Sequence, residues 1–143
     1  MASTLRTTKT STTSVVPPRA NIGETWAWET YTVAAALVVN DVIQMVKIPA
    51  GATILDVVLS ASDLDTGTSA AIVLDVGDDG DTDRFIDGST AGQAGGVTHL
   101  NNRAGHCYTY TADNTIDVLV QVAPATGATS GTIALGVCYT MEQ

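Results

Sequence analysis

Apolar and polar residues alternate along this chain in short runs, and clusters of Gly, Pro, Asn and Asp separate the runs. The cleanest run is Ile116, Val118, Val120 and Val122, every second residue apolar, which predicts a half-buried central strand. Ile133, Leu135, Val137 and Tyr139 repeat the pattern and are read as the strand that closes the sheet. Earlier, Tyr31, Val33, Ala35, Leu37 and Val39 alternate, Asn40 and Asp41 turn the chain, and Val42 to Ile48 return, which reads as a hairpin. Ile48, Pro49, Ala50 and Gly51 fit a type I turn. The strand after it sets Leu55, Val57, Leu59 and Ala61 on one face and Ile54, Asp56, Val58 and Ser60 on the other. Asp63, Asp65, Thr66 and Gly67 reverse the chain, and Ile72, Leu74 and Val76 face one way on the return with Asp75 opposite.

From Gly77 to Asp83 the chain is too polar and too glycine-rich to extend a ladder, and it reads as a turn at the end of the sheet. Arg84, Phe85 and Ile86 suggest a short strand, and GSTAGQAGG (88–96) a long loop with room for one helical turn. His106 to Thr111 resumes strand character. About eight strands at short spacing predict an all-β domain, a single β-sandwich, with a jelly roll the architecture favoured at that number. Residues 1–25 form an extended N-terminal arm ahead of a β-sandwich domain at 26–143. The arm, which includes TLRTTKTSTTSVVPPRANIGET, has no apolar period and carries Pro17, Pro18 and Gly23. Fully extended, that stretch reaches roughly 70 Å, and it reads either as a free terminus or as an arm lying along a neighbouring subunit.

Composition narrows the function. At 143 residues there is room for one core, and only 5% of residues are aromatic, so Trp26, Trp28 and Tyr31 are large anchors. Trp26 and Trp28 share a face of an extended segment; the first reading is that they close the bottom of the core, the second that they anchor an interface. The net charge of −9 is uneven: residues 1–20 carry Arg6, Lys9 and Arg19 with no acid, so the remaining 123 residues carry −12. Beyond residue 20 only Lys47, Arg84 and Arg103 are basic, too few for a nucleic-acid stripe. No run of about 18 apolar residues offers a membrane span and no leader has signal-peptide form, so synthesis in the cytoplasm is expected.

Candidate chemistry is sparse. Asp75, Asp78, Asp79, Asp81 and Asp83 are the densest oxygen cluster, but in EF-hand register Gly77 replaces the third-position carboxylate and Ile86 the closing Glu. A calcium turn of another kind stays open beside a solvated turn. His106 and Cys107 are strand neighbours on opposite faces, hence no dyad, and two His and two Cys have no zinc spacing. Cys107 and Cys138 read as small packed hydrophobes or, in an extracellular particle, as a disulfide. No cofactor, metal or catalytic site is expected, and the chain is read as not an enzyme.

One stretch resembles a family. The IPAGA turn entering LDVVL, the SDLDTG reversal and then LDVGDDGDTDRFI, spanning residues 47 to 87, are similar to small virion proteins of tailed bacteriophages that decorate or cement the capsid shell. The resemblance implies a structural protein on the outside of a capsid, bound to major capsid protein and forming a homotrimer that suits the local three-folds of the lattice. Arg6, Lys9, Arg19, Trp26 and Trp28 are then the residues expected to contact capsid or neighbouring subunits. Two other classes fit the composition: a calcium-dependent carbohydrate-binding β-sandwich, and a virion fibre or tail component.

Overall fold

The computed structural model of the chain describes residues 4–6 and 23–141. Nine strands follow in order: β1 (Thr4–Arg6), β2 (Thr25–Val33), β3 (Val42–Ile48), β4 (Ala52–Ala61), β5 (Val73–Asp78), β6 (Asp81–Ser89), β7 (Gly96–His99), β8 (Asn114–Val122) and β9 (Gly131–Met141). Single 3-10 turns stand at Ala91–Gln93 and Arg103–Gly105. The strands build two sheets, β2-β9-β4-β7 and β3-β8-β5-β6, each antiparallel, with β1 added in parallel to the outer edge of β3. Of the links between β2 and β9, only β5–β6 joins strands of one sheet; every other link crosses to the opposite sheet. That order is a jelly roll, as the strand count predicts.

Between the sheets lies one core. Ile43, Ile54, Leu59, Leu74, Phe85, Ile116, Val118, Leu135, Val137 and Tyr139 are all fully buried or nearly so. Each such side chain stabilises the fold by about 1.5–3 kcal/mol relative to exposure. Among the described residues no helix is long and apolar enough to cross a membrane.

Several sequence expectations change. The Tyr31–Ile48 stretch is no hairpin: β2 ends at Val33, residues 34–41 cross between sheets, and Val38 and Val39 are exposed. The Pro49 turn sits one residue later, closed by the Ala52 N–H on the Pro49 carbonyl, with Gly51 at φ +85° in the third position. That geometry is type II, and the glycine explains it. In β4 a bulge between Ile54 and Asp56 moves Ile54 into the core and turns Leu55 partly outward, so the expected faces hold only from Val57 onward.

The polar run 77–83 is not a simple end turn. β5 continues through Gly77 to Asp78, and only Asp79 and Gly80 separate it from β6. A Cβ at Gly77 would overlap the backbone of Asp81 and Thr82, which is why a glycine stands inside this strand. In the His106–Thr111 segment the expected strand shrinks to one antiparallel bridge, Thr109 to Thr53 of β4, with the Ile54 amide donating to the Tyr108 carbonyl and the Tyr110 amide to that of Ala52, while β7 pairs with the other end of β4. Finally, β9 does not close a sheet; it lies between β2 and β4.

Candidate functional site

Trp26 and Trp28 do not enter the core. β2 is an edge strand whose Ala27 and Val33 are buried, and the alternation sends both tryptophans to the outer face, 43% and 50% exposed. Across from Trp28 on β9 stands Gly136. A Cβ there would lie 2.5–2.6 Å from three successive benzo carbons of Trp28, so the face of the ring, not its edge, covers the glycine. The indole therefore lies flat against the sheet with its other face in solvent. Trp26 stacks nearly parallel to it, 16° between planes and 5.6 Å between centroids, above the row of Cys138.

The same outer face carries Asp56 and His99, 3.2 Å apart from Oδ2 to Nδ1, and exposed Val97 on β7. An apolar aromatic platform flanked by acidic and small residues can bind by burying area. It holds no nucleophile: Cys138 is buried, and burial, with Glu24 and Asp56 nearby, pushes its thiol pKa up. Cys107 is exposed in the loop after the second 3-10 turn, and both cysteines are free thiols in this structure.

At the β5–β6 end, Asp78 is 3% exposed and its carboxylate takes five donors. Arg84 Nε donates to Oδ2 at 2.7 Å and Nη2 to Oδ1 at 3.2 Å, the Tyr110 hydroxyl donates to Oδ2 at 2.8 Å, and the Gly80 and Asp81 amides each donate to Oδ1 at 3.0 Å. Arg84 Cζ rests 3.9 Å from the centre of the Tyr108 ring, which meets Tyr110 edge-on. Burial opposes ionisation of Asp78, but the Arg84 and Tyr110 hydrogen bonds and the arginine's charge win and hold its pKa below the usual range. Burial and the same carboxylate push the Tyr110 hydroxyl far up.

Of the other calcium candidates, Asp75 is buried and accepts the Gly88 amide, with burial raising its pKa, and Asp79 accepts from Asn114. The Asp81 carboxylate, hydrogen-bonded to Asp83, raises the latter's pKa. Among the described residues no group of three or more His, Cys, Asp or Glu is arranged to hold a metal ion. The acidic run is organised around an arginine and a tyrosine.

Asp65, read from sequence only as a reversal residue, ties the β4–β5 and β8–β9 loops together. Its Oδ1 accepts the amides of Gly67 and Thr126 at 3.2 and 2.9 Å, and its Oδ2 those of Ala71, Ile72 and Ala125 at 2.7, 3.2 and 2.7 Å. Burial alone would raise its pKa; the backbone amides of Ala71, Thr126, Ala125 and Gly67 outweigh it and hold the carboxyl far below the usual range.

The basic candidates are placed only in part. Arg6 lies on β1, in register with Gln44 of β3. Lys9 and Arg19, with most of the 1–25 arm, lie outside the described residues. The structure therefore brings Trp26 and Trp28 together and leaves their relation to the three basic residues open.

No protein-family model matches the sequence, and a search of curated proteins finds no relative. Solved structures do match. A chain of the capsid of Ralstonia phage GP4 superposes with a TM-score of 0.85 at 27% identity, over 99% of both chains. A chain of the cyanophage Pam1 capsid asymmetric unit gives 0.77 at 26% identity, over 92% of this chain and 96% of that one. A chain of the acid-stable capsid of Helicobacter pylori bacteriophage KHP30 gives 0.54 at 19% identity and shares the fold. The likeness is thus to chains of phage capsids along nearly the whole length, and it supports a structural, capsid-related protein of a virion.

Proposed function

We propose that this chain is a capsid decoration protein, bound to the outer surface of a phage head and cementing neighbouring major capsid protein subunits. The observation that carries the reading is end-to-end similarity to two phage-capsid chains, joined to a surface with an adhesive aromatic platform and no catalytic constellation among the described residues. Trp26 and Trp28 together with Lys9 and Arg19 engage the shell, while Arg6 contacts a neighbouring copy. A trimer presents three such contact sets at once. With a standard interface of about 1,600 Å² per contact, linkage of the three raises avidity by 10²–10⁴ on an order-of-magnitude scale.

The test uses heads purified from a phage lacking this gene. Full-length protein is expected to co-sediment with them and to raise the temperature at which they release DNA. Removing residues 1–20 leaves a folded body that no longer binds. W26S/W28S weakens binding by roughly 30-fold for each tryptophan, on the scale of about 2 kcal/mol for an aromatic hot spot. Full affinity in both variants would overturn the reading.

The exposed indole pair also favours a second reading, a carbohydrate platform, because pyranose rings stack on open aromatic faces. Quenching of tryptophan fluorescence by host polysaccharide, with no binding to undecorated heads, would select it.

A further inference from the structure

The edge of β3, where Arg6 lies, bears on how copies of this chain are joined to one another. β1 is three residues long, yet its register matches the pattern of the sheet: Leu5 pairs with Ile43, itself opposite Val118, both fully buried. Thr4 and Arg6 fall in the alternate rows, with Val42 and Leu119 and with Gln44 and Asp117. A one-residue slip would take Leu5 out of the core row and put Arg6 or Thr4 into it, so the pairing is specific despite its length.

The link from Arg6 to Thr25 is out of proportion to that pairing. Eighteen residues separate the two strands, whereas residues 34–41 join β2 to β3 across the same two sheets with eight, and residues 49–51 join β3 to β4 with three. Eighteen residues span up to roughly 60 Å, enough to leave one body and reach the next.

Charge sets the direction. Residues 21–143 carry −12 and residues 1–20 carry +3, so two bodies side by side repel unless something basic lies between them. An arm folded onto its own β3 leaves that repulsion in place, and an arm that crosses to the neighbour reduces it. The strand contacts are the same in both arrangements, so the exchange costs none of them.

We propose that in the assembled protein the Thr4–Arg6 strand pairs with β3 of a neighbouring copy, so that the oligomer is knitted by exchanged first strands. The proposal needs an oligomer but not a capsid, so it fails or stands separately from the decoration reading. It is tested on the full chain carrying T4C and V42C, two residues in direct register, with C107S to remove the exposed native thiol. After mild oxidation, light scattering gives the native mass and a non-reducing denaturing gel gives the covalent one.

Exchange moves the denatured band from 14.7 kDa to the mass of the oligomer, because each chain is bonded to the next around the ring, and reduction returns it to one chain. An oligomer whose denatured band stays at one chain with an internal disulfide would overturn the proposal. So would a monomer, or an oligomer in which no disulfide forms. Mixing T4C/C107S with V42C/C107S protein gives the second reading: covalent heterodimers are expected after co-refolding, and their absence counts against exchange.

Discussion

Replacing Asp65 by Ala is expected to lower the melting temperature by roughly 10 °C or more, and Asp65→Asn to come close to it. Five backbone amides from two loops point at two carboxylate oxygens. Alanine leaves all five in a nearly closed site; Asp65 is 2% exposed, so water does not freely replace the lost acceptor. Asparagine offers one oxygen and turns an amide donor toward the remaining donors. Asp63→Ala is the control, since Asp63 is exposed and accepts the Asp65 amide at 3.1 Å. Hydrogen exchange at Ala71, Ile72, Ala125 and Thr126 should accelerate in the Asp65 variants alone. The pH dependence follows from the depressed pKa: the stabilisation is complete above the unfolded value of about 3.9 and is lost as pH falls through the lower folded value. Equal melting temperatures for wild type and Asp65→Ala at pH 7 would refute the tie between the loops.

Arg84→Met should cost about 3 kcal/mol, because it strands the Asp78 carboxylate in a buried site with only Tyr110 and two amides. The figure is taken at the low end of the range for broken buried pairs, since the Arg84 side chain keeps 14% of its surface in solvent. The double variant D78L/R84M should recover part of the loss, because it removes the uncompensated charge along with its partner. In wild type the Asp78 pKa is depressed, so its contribution is present above about pH 4 and lost below. In Arg84→Met burial prevails and the pKa rises, so thermal melts of the two proteins should converge as the pH is taken below 4. A double variant no more stable than the single one would show that packing, not charge, is what Arg84 contributes.

The sequence revealed strands better than it revealed their partners. Alternation marks which residues face inward, so β8 and the inward sets of β4 beyond Val57, β5 and β9 were legible. It is silent on which sheet a strand joins. In a jelly roll nearly every link crosses between sheets, so Asn40 and Asp41 looked like a hairpin turn when they end a crossover. Asp79-Gly80 did mark a two-residue turn, but the polar composition around it hid a ladder kept in place by Asp78 binding Arg84. The tryptophans were misassigned to the core because their bulk suggests burial. What frees them is Gly136, 108 residues on from Trp28, whose missing side chain makes the bed for the ring. Asp65 was legible only as a reversal residue, which its bond from the Gly67 amide bears out; its tie to Ala125 and Thr126 was not, because that loop is 60 residues away.

β9 ends at Met141 and is flanked on one side by β2, the first strand of the sandwich, and on the other by β4. Its sheet therefore lacks its middle until β9 is made, after the other eight described strands; before then β2 has no ladder partner and β4 has only β7. The Trp28 ring has no Gly136 to lie on until that moment either. The stacked Trp26–Trp28 face is thus completed only when β9, the last of the nine described strands, docks between β2 and β4, so it is a property of the closed sheet and not of β2 alone.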